Sequence, residues 1–175
     1  MPNPLPAPLL EPIKVIANIL QAELALPAGQ IMLGLENWPI PKNTGLYIVL
    51  TYGPEQTISN TNSSALNQAG DFVEVQEAVM LHTVEIDAMS FDDSARLGKE
   101  KILWALASYA AQEAMETFDM RIASTPSSFV AIPSLEETKY LNRFKTSFAV
   151  NALHRNVKIV PYYDKLGAVT TIPNA

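Results

Sequence analysis

Hydrophobic residues recur at helical spacing in the first part of the chain. From about residue 10 to residue 25, apolar side chains return every three or four positions, which is typical of a helix with one buried face. Pro12 is compatible with this helix because proline is tolerated in a first turn. The buried face is predicted to hold Ile13, Ile16, Ile19 or Leu20, and Leu24.

A second helix is predicted to begin after Ser90 and to run to about Thr117. Ser90 can accept a hydrogen bond from a free amide at the helix start, and the carboxylates of Asp92 and Asp93 suit the positive end of the helix dipole. The predicted buried stripe of this helix consists of Ile102, Leu103, Leu106, Ala110 and Ala114.

Alternation of apolar and polar residues predicts the strands. A short apolar strand runs from Leu46 to Thr51, and a much longer one runs from Phe72 to Met89. A second long strand is predicted from Thr138 to about His154, with short strands at 120–123 and 129–132. Because the strand from Phe72 to Met89 exceeds the usual length, we expect it to project beyond its sheet and to contact something there.

The order of these elements is helix, strand, strand, helix, strand, strand, which predicts an α+β domain with an antiparallel sheet of about four strands packed against two helices. This single domain is predicted to cover residues 10–160. Within it, the polar stretch 53–71 is predicted to be a long loop or hairpin, since it is too long for a tight turn. A Pro-rich N-terminal arm at 1–9 and a C-terminal arm at 161–175 extend from the domain.

Composition narrows the classes of function. The 175 residues carry a formal net charge of −6 and contain no cluster of Lys and Arg, so tight or sequence-specific binding to nucleic acid is not expected. Charged residues make up only 17% of the chain. That deficit fits a loop-rich protein, and it equally fits a subunit that buries part of its surface against partners.

The residue types that carry most catalytic chemistry are scarce or absent. The chain has no cysteine, which excludes disulfides, thiol catalysis and Cys-based metal sites. Its two histidines, His82 and His154, are interpreted as core or interface residues, because nothing in the sequence completes a triad or a zinc site around them. There is no phosphate-binding loop or dinucleotide motif. We therefore expect no enzyme activity, no catalytic residue, no metal and no cofactor.

The N-terminal sequence has neither the basic region nor the apolar region of a signal peptide, and no apolar run is long enough to span a membrane. These features predict a protein that is made and kept in a cytosol-like compartment, without a membrane partner.

Charged residues on the two long strands form a candidate interface between subunits. One strand presents acidic residues and the other presents basic residues, so the charges would pair if the strands were neighbours. Within one subunit we expect ordinary solvent-facing surfaces, whereas pairing between subunits stays open and would fix the register of an assembly. Trp38 is a further interface candidate, since aromatic anchors are common both in cores and in interfaces. The candidate interface residues are Glu77, Glu85, Asp87, Lys139, Arg143, Lys145 and Trp38.

Several of these features together resemble the tail-terminator, or neck-terminator, proteins of tailed bacteriophages. The first is a helix followed by an Asn-Trp-Pro connector at 37–39 and an apolar strand. The second is a polar loop and then a long strand that ends in the Ser-Phe-Asp-Asp turn at 90–93, with Arg96 and Leu97 in the next helix. The last is a final strand containing Tyr140-x-x-Arg143-Phe144-x-x-x-Phe148. The resemblance covers roughly residues 10–155, and the Pro-bearing ends and the length of the 53–71 loop depart from it.

The resemblance implies a structural protein of the virion that is assembled in the host cytoplasm. Such proteins form a ring of identical subunits, commonly a hexamer, that caps the tail tube and joins it to the head–tail connector. The implied partners are other copies of the chain, the tail tube protein, the sheath in contractile tails, the connector or adaptor proteins and the genomic DNA that passes through. An acidic subunit would give an acidic lumen that repels DNA phosphates.

Two alternatives remain from the residues alone. In the first, the chain is a small-molecule-binding or enzymatic α+β domain, and 53–71 is a lid over a concave site near His82, Glu85 and Asp87. Arg96–Lys101 would then be a ligand clamp. Otherwise it is an adaptor in another layer of a phage neck or baseplate, which differs from a terminator only in its neighbours.

Overall fold

A computed structural model describes the central part of the chain. The described residues are 11–27, 29–34, 45–66, 71–136 and 139–160, without the side chains of 135, 136 and 139. The predicted arms at 1–9 and 161–175 and the candidate interface residue Trp38 lie outside the described residues.

Described residues form three helices and seven strands, which confirms the α+β class. In chain order the elements are α1 (Pro12–Glu23), β1 (Ile31–Leu33), β2 (Tyr47–Leu66), β3 (Phe72–Ser90), α2 (Ser94–Leu106), α3 (Tyr109–Thr117), β4 (Met120–Ser124), β5 (Val130–Ala131), β6 (Ser134–Glu136) and β7 (Lys139–Ile159).

The strands form one mixed sheet in the order β1-β2-β3-β7-β4, and β5 and β6 pair with further parts of β7. All of these pairings are antiparallel except that of β1 with β2, which is parallel. The sheet therefore has more strands than the roughly four that the sequence predicts, and it is not purely antiparallel. The three long strands β2, β3 and β7 are its centre.

Helices cover one face of this sheet, which we call the inner face. The buried face of α1 belongs to one continuous core that also contains Val84, Ile86 and Ala88 of β3 and Phe148 and Val150 of β7. The predicted apolar face of α1 is confirmed, since Ile13, Ile16, Ile19 and Leu20 are all buried. Because side chains of a strand alternate between faces, Glu85 and Asp87 lie on the opposite, outer face.

Of the two conformations predicted for 53–71, the hairpin is confirmed and the long loop is wrong over residues 53–66, which continue strand β2 and pair antiparallel with β3. This part of β2 pairs with β3 from Glu55 opposite His82 to Leu66 opposite Phe72, with irregularities after Tyr52 and after Thr57. Its side chains are exposed on both faces, so no apolar alternation marks it in the sequence. Backbone pairing with β3, rather than side-chain burial, holds these residues in a strand.

The prediction that the long strand projects beyond its sheet is wrong, because the sheet itself continues along the whole strand. β3 is paired along its whole length, with β2 on one side and β7 on the other. We call residues 55–66 of β2, 72–81 of β3 and 151–159 of β7 the ribbon. At the usual rise per residue, its central strand extends about 30 Å. The distal residues of β2 and β7 in the ribbon are exposed to solvent, so the ribbon extends beyond the helix-covered core.

The cap predicted at Ser90 is confirmed. The amide of Ala95 donates to Ser90 Oγ (2.8 Å), and the amide of Ser94 donates to Asp92 Oδ1 (2.8 Å). Hydrogen bonds from Ser94 lower the pKa of the Asp92 carboxyl below its usual value. Arg96 pairs with Asp93 in the first turn, and this hydrogen bond raises the pKa of the guanidinium.

The single helix predicted from Ser90 to Thr117 is wrong in one respect, because it is divided into α2 and α3. Ser108 adopts an extended conformation, and its hydroxyl accepts a hydrogen bond from the amide of Ala111 (3.0 Å). A serine that caps a new helix competes with continuation of the old one. The break changes the helical phase, so Ala110 of the predicted stripe is exposed while Ala111 and Met115 are buried.

Candidate functional site

The candidate interface charges pair within one chain on the outer face. Asp87 accepts two hydrogen bonds from the guanidinium of Arg143, from Nε and from Nη2, both at 2.9 Å. Lys145 Nζ lies 2.8 Å from Glu85, and Arg155 Nε lies 2.6 Å from Glu77. The expectation that these strands present unpaired, solvent-facing surfaces within a subunit is therefore wrong.

Register explains this pairing. β3 and β7 are antiparallel neighbours, with Asp87 opposite Lys145 and Glu77 opposite Arg155. Arg143 and Lys145 each contact a carboxylate that lies diagonally across the two strands, two residues away from the position directly opposite. Glu77 instead contacts the residue directly opposite it. Arg155 is not among the residues predicted from the sequence, although it lies at the same strand parity as Arg143 and Lys145. For the remaining candidates, the side chain of Lys139 and all of Trp38 lie outside the described residues.

The two faces of the ribbon differ in polarity where β3 and β7 pair. The outer face carries an apolar stripe that the ion pair of Glu77 and Arg155 interrupts. The inner face carries polar side chains in its middle part, among them Glu74, Gln76 and Asn156, and apolar ones at its end, where Leu66 lies opposite Phe72. Residues of the apolar stripe are Val73, Val75, Val79, Leu81, Leu153, Val157 and Ile159.

Two edges of the ribbon are without a paired strand in the part of the chain that the structure describes. Among the described residues, no strand pairs with the outer edge of 55–66 in β2 or with the outer edge of 154–159 in β7. Each edge presents backbone N–H and C=O groups that can pair with a strand of another chain. The ribbon therefore combines an apolar face with two strand edges that can accept a partner.

A histidine pair lies on the inner face at the base of the ribbon. His82 is buried, and its Nδ1 lies 3.0 Å from Oε1 of Glu55 on β2. Its Nε2 lies 3.1 Å from Nε2 of His154 on β7. The Tyr52 ring lies beside His82, and the Tyr52 hydroxyl accepts a hydrogen bond from the amide of Ile13 in α1. The cluster thus connects all three ribbon strands to the helical layer.

The two imidazole rings face each other through their Nε2 atoms, and a hydrogen bond between these atoms uses one proton. His82 Nδ1 lies within hydrogen-bond distance of the Glu55 carboxylate. Burial, and then the charge of His82, lower the pKa of His154. The prediction that His82 is a satisfied histidine rather than a catalytic base is consistent with these contacts. Burial also raises the pKa of the nearby Tyr52 phenol.

The histidine pair predicts a pH-dependent stability. The depressed pKa of His154 means that the unfolded chain binds protons more readily than the folded chain below about pH 6.5. The free energy of unfolding should therefore fall as the pH is lowered from 7.5 to 5.5, because the slope with pH follows the excess protons of the unfolded state. Urea unfolding at several pH values measures this slope, and His154→Gln should flatten it.

The matched control for that experiment is Asn156→Gln, an exposed position on the same face of β7. This variant should keep the slope of the unmodified chain. If the free energy of unfolding of His154→Gln depended on pH as that of the unmodified chain does, the histidine pair would not be the cause of the pH dependence.

The residues proposed for an enzymatic site do not converge. His82 lies on the inner face, whereas Glu85 and Asp87 lie on the outer face and are paired with basic side chains. Residues 53–66, proposed as part of a lid, are a strand in register with β3. Among the proposed clamp residues, Arg96 pairs with Asp93, and Lys99 Nζ lies 4.9 Å from the Phe144 ring centroid.

A groove of about 680 Å³ lies between the end of α1 and the exposed side of α2, and we call it the helix groove. Its apolar walls come from Leu24 and Leu26 after α1 and from Leu97 and Trp104 on α2. Both α2 side chains are unusually exposed for their type, Leu97 at 63% and Trp104 at 68%. Among the described residues that line the helix groove, only Glu23 and Lys101 are charged.

A second recess of about 780 Å³ lies between α3, β4 and the adjoining part of β7. Its charged lining residues, Glu116, Asp119 and Arg121, are all exposed.

Within the described ranges, no group of three or more His, Asp or Glu residues is placed to hold a metal ion. No helix among the described residues is both long and apolar enough to cross a membrane. No protein-family model matches the chain, and no curated protein matches it.

Proposed function

We propose that this chain is a structural subunit that assembles into a closed ring. The observation that carries the proposal is the ribbon, whose two opposite edges pair with no other described strand. A ring needs a head-to-tail interface between two different, complementary patches. The edge of β2 in one copy and the edge of β7 in the next provide two such patches through strand addition.

The apolar outer face of the ribbon supports the same proposal. An isolated subunit would leave residues such as Val157 and Ile159 in contact with water. Neighbouring apolar side chains that are exposed on one face of a strand, as these two are, are typical of a site for another protein. Assembly would remove this surface from water, and the surrounding polar residues would form its rim.

We further propose that the ring is a tail terminator at the neck of a tailed bacteriophage, which caps the tail tube and meets the head–tail connector. This part rests on the resemblance of residues 10–155 to that family. The formal net charge of −6 per chain favours an acidic channel through which DNA passes without binding. An adaptor of another neck or baseplate layer is the alternative, and the partner that the ring binds distinguishes the two.

Light scattering of the purified full chain, combined with negative-stain imaging, tests the ring. The expected result is a discrete closed ring with a central channel. A stable monomer that binds a metabolite would overturn the proposal in favour of a ligand-binding domain. Mixing the ring with isolated phage tail tubes tests the terminator role, since a terminator binds one end of each tube and an adaptor of another layer does not.

A further inference from the structure

The helix groove has an apolar lining that no described segment covers. Leu97 and Trp104 project from α2 into solvent, and Gly98 between them keeps the floor of the groove low against Leu46. A Cβ at position 98 would lie 2.8 Å from a methyl carbon of Leu46. The groove is thus a formed surface with an aromatic wall, rather than a gap left by loose packing.

The first ten residues of the sequence have the complementary chemistry. They contain no charged side chain, and prolines stand at positions 2, 4, 6 and 8. Such a sequence favours the polyproline II helix, which has three residues per turn. Pro2, Leu5 and Pro8 would then form one apolar ridge. Pro-rich segments of this kind bind in aromatic-lined grooves because little conformational entropy is lost on binding.

We propose that residues 2–9 of one copy dock in the helix groove of a second copy, a contact that rests on the self-assembly proposed above. Glu11 is extended (φ −57°, ψ 131°), as expected for a residue before proline, so the segment leaves from the N-terminal end of α1. The groove lies at the C-terminal end of α1, about 18 Å away along the 12-residue helix. A segment docking in its own groove would have to reverse beside Pro12 and run back along the helix, whereas a neighbouring copy requires no reversal.

Engineered disulfides test this contact directly, because the chain contains no cysteine of its own. Full-length Leu5→Cys is mixed with full-length Leu97→Cys and oxidised under mild conditions. The expected product is a disulfide-linked dimer on a non-reducing gel. The matched control is Leu5→Cys mixed with Gln112→Cys, an exposed position on α3 that does not line the helix groove.

Trp104→Ala, introduced into the Leu97→Cys chain, measures the contribution of the aromatic wall. The expected effect is about a tenfold loss of cross-linking rate, typical of removing an aromatic anchor. Equal cross-linking to Leu97→Cys and Gln112→Cys would overturn the proposal. A purely intrachain disulfide in the double variant Leu5→Cys/Leu97→Cys, with no dimer in the mixture, would also overturn it.

Failure of this contact and failure of the ring are separable. Light scattering of the unmodified chain reports the ring, whereas the cross-link reports only the docking of the segment. A ring without the cross-link refutes the docking and leaves the ring intact. A cross-linked pair without a ring confirms the docking and refutes ring closure. Circular dichroism of each cysteine variant excludes misfolding, and Trp104→Cys provides a second attachment point in the same groove.

Discussion

Replacement of Val157 and Ile159 by lysine is expected to abolish assembly while leaving the chain folded. Both side chains are exposed on the outer face of β7, 45% and 64% respectively, so two lysines there cost the isolated subunit little. In the ring, the same two ammonium groups would have to leave water against an apolar surface. We expect the association constant to fall by about a hundredfold or more, since each tenfold corresponds to only about 1.4 kcal/mol.

The matched control places two lysines on the other face of the same ribbon. Ser64→Lys and Asn156→Lys add the same charge at exposed positions, but on the polar inner face. Light scattering as a function of protein concentration should show assembly for this control and its loss for the outer-face variant. Equal assembly by both variants would show that the apolar face lies outside the interface and would leave the strand edges as the remaining candidate.

Elements held together by local chemistry were predictable from the sequence. The hydroxyl of Ser90 and the carboxylate of Asp92 cap α2 through residues at most five positions away, so a sequence pattern contains the whole interaction. The alternation of β3 was equally clear because one of its faces is buried in the core. Both signals depend on near neighbours or on a single buried face, and neither requires knowledge of the partner strand.

The distal half of β2 could not be predicted for the converse reason. Its run from Asn60 to Ser64 has the composition of a turn, and both of its faces meet solvent. Only the backbone partner on β3 decides its conformation, and that partner is defined by tertiary pairing. The break between α2 and α3 differs, because Ser108 is a visible cap residue whose signal was outweighed by the helical periodicity on either side.

The candidate site was predicted in part. The acidic face of β3 and the basic face of β7 follow from strand parity, but which charge meets which depends on register. The histidine pair joins residues 72 positions apart, and its partner Glu55 lies in the segment that was predicted as a loop. Without β2 in register, nothing in the sequence brings Glu55 to His82. Errors in one strand therefore propagated directly into the interpretation of the site.

The ion pair of Asp87 and Arg143 is expected to stabilise the single chain far more than that of Glu85 and Lys145. The Asp87 side chain is 7% exposed and accepts two hydrogen bonds from Arg143, and both are lost when either side chain is replaced. A double-mutant cycle with Asp87→Asn and Arg143→Gln should give a coupling energy of about 2 kcal/mol, as for hydrogen bonds between charged groups. Urea unfolding of the four proteins measures it.

The second pair serves as the internal control for that cycle. Glu85 and Lys145 are 31% and 33% exposed, and solvent screens their attraction, so the cycle with Glu85→Gln and Lys145→Gln should give less than about 1 kcal/mol. If the coupling energies of both cycles were equal and negligible, the ion pair of Asp87 and Arg143 would not stabilise the folded chain. If Arg143→Gln instead left stability unchanged and weakened ring assembly, the guanidinium would have to exchange Asp87 for a partner on the neighbouring subunit. The cycle therefore decides whether the outer-face charges fix the fold of one chain or the register between chains.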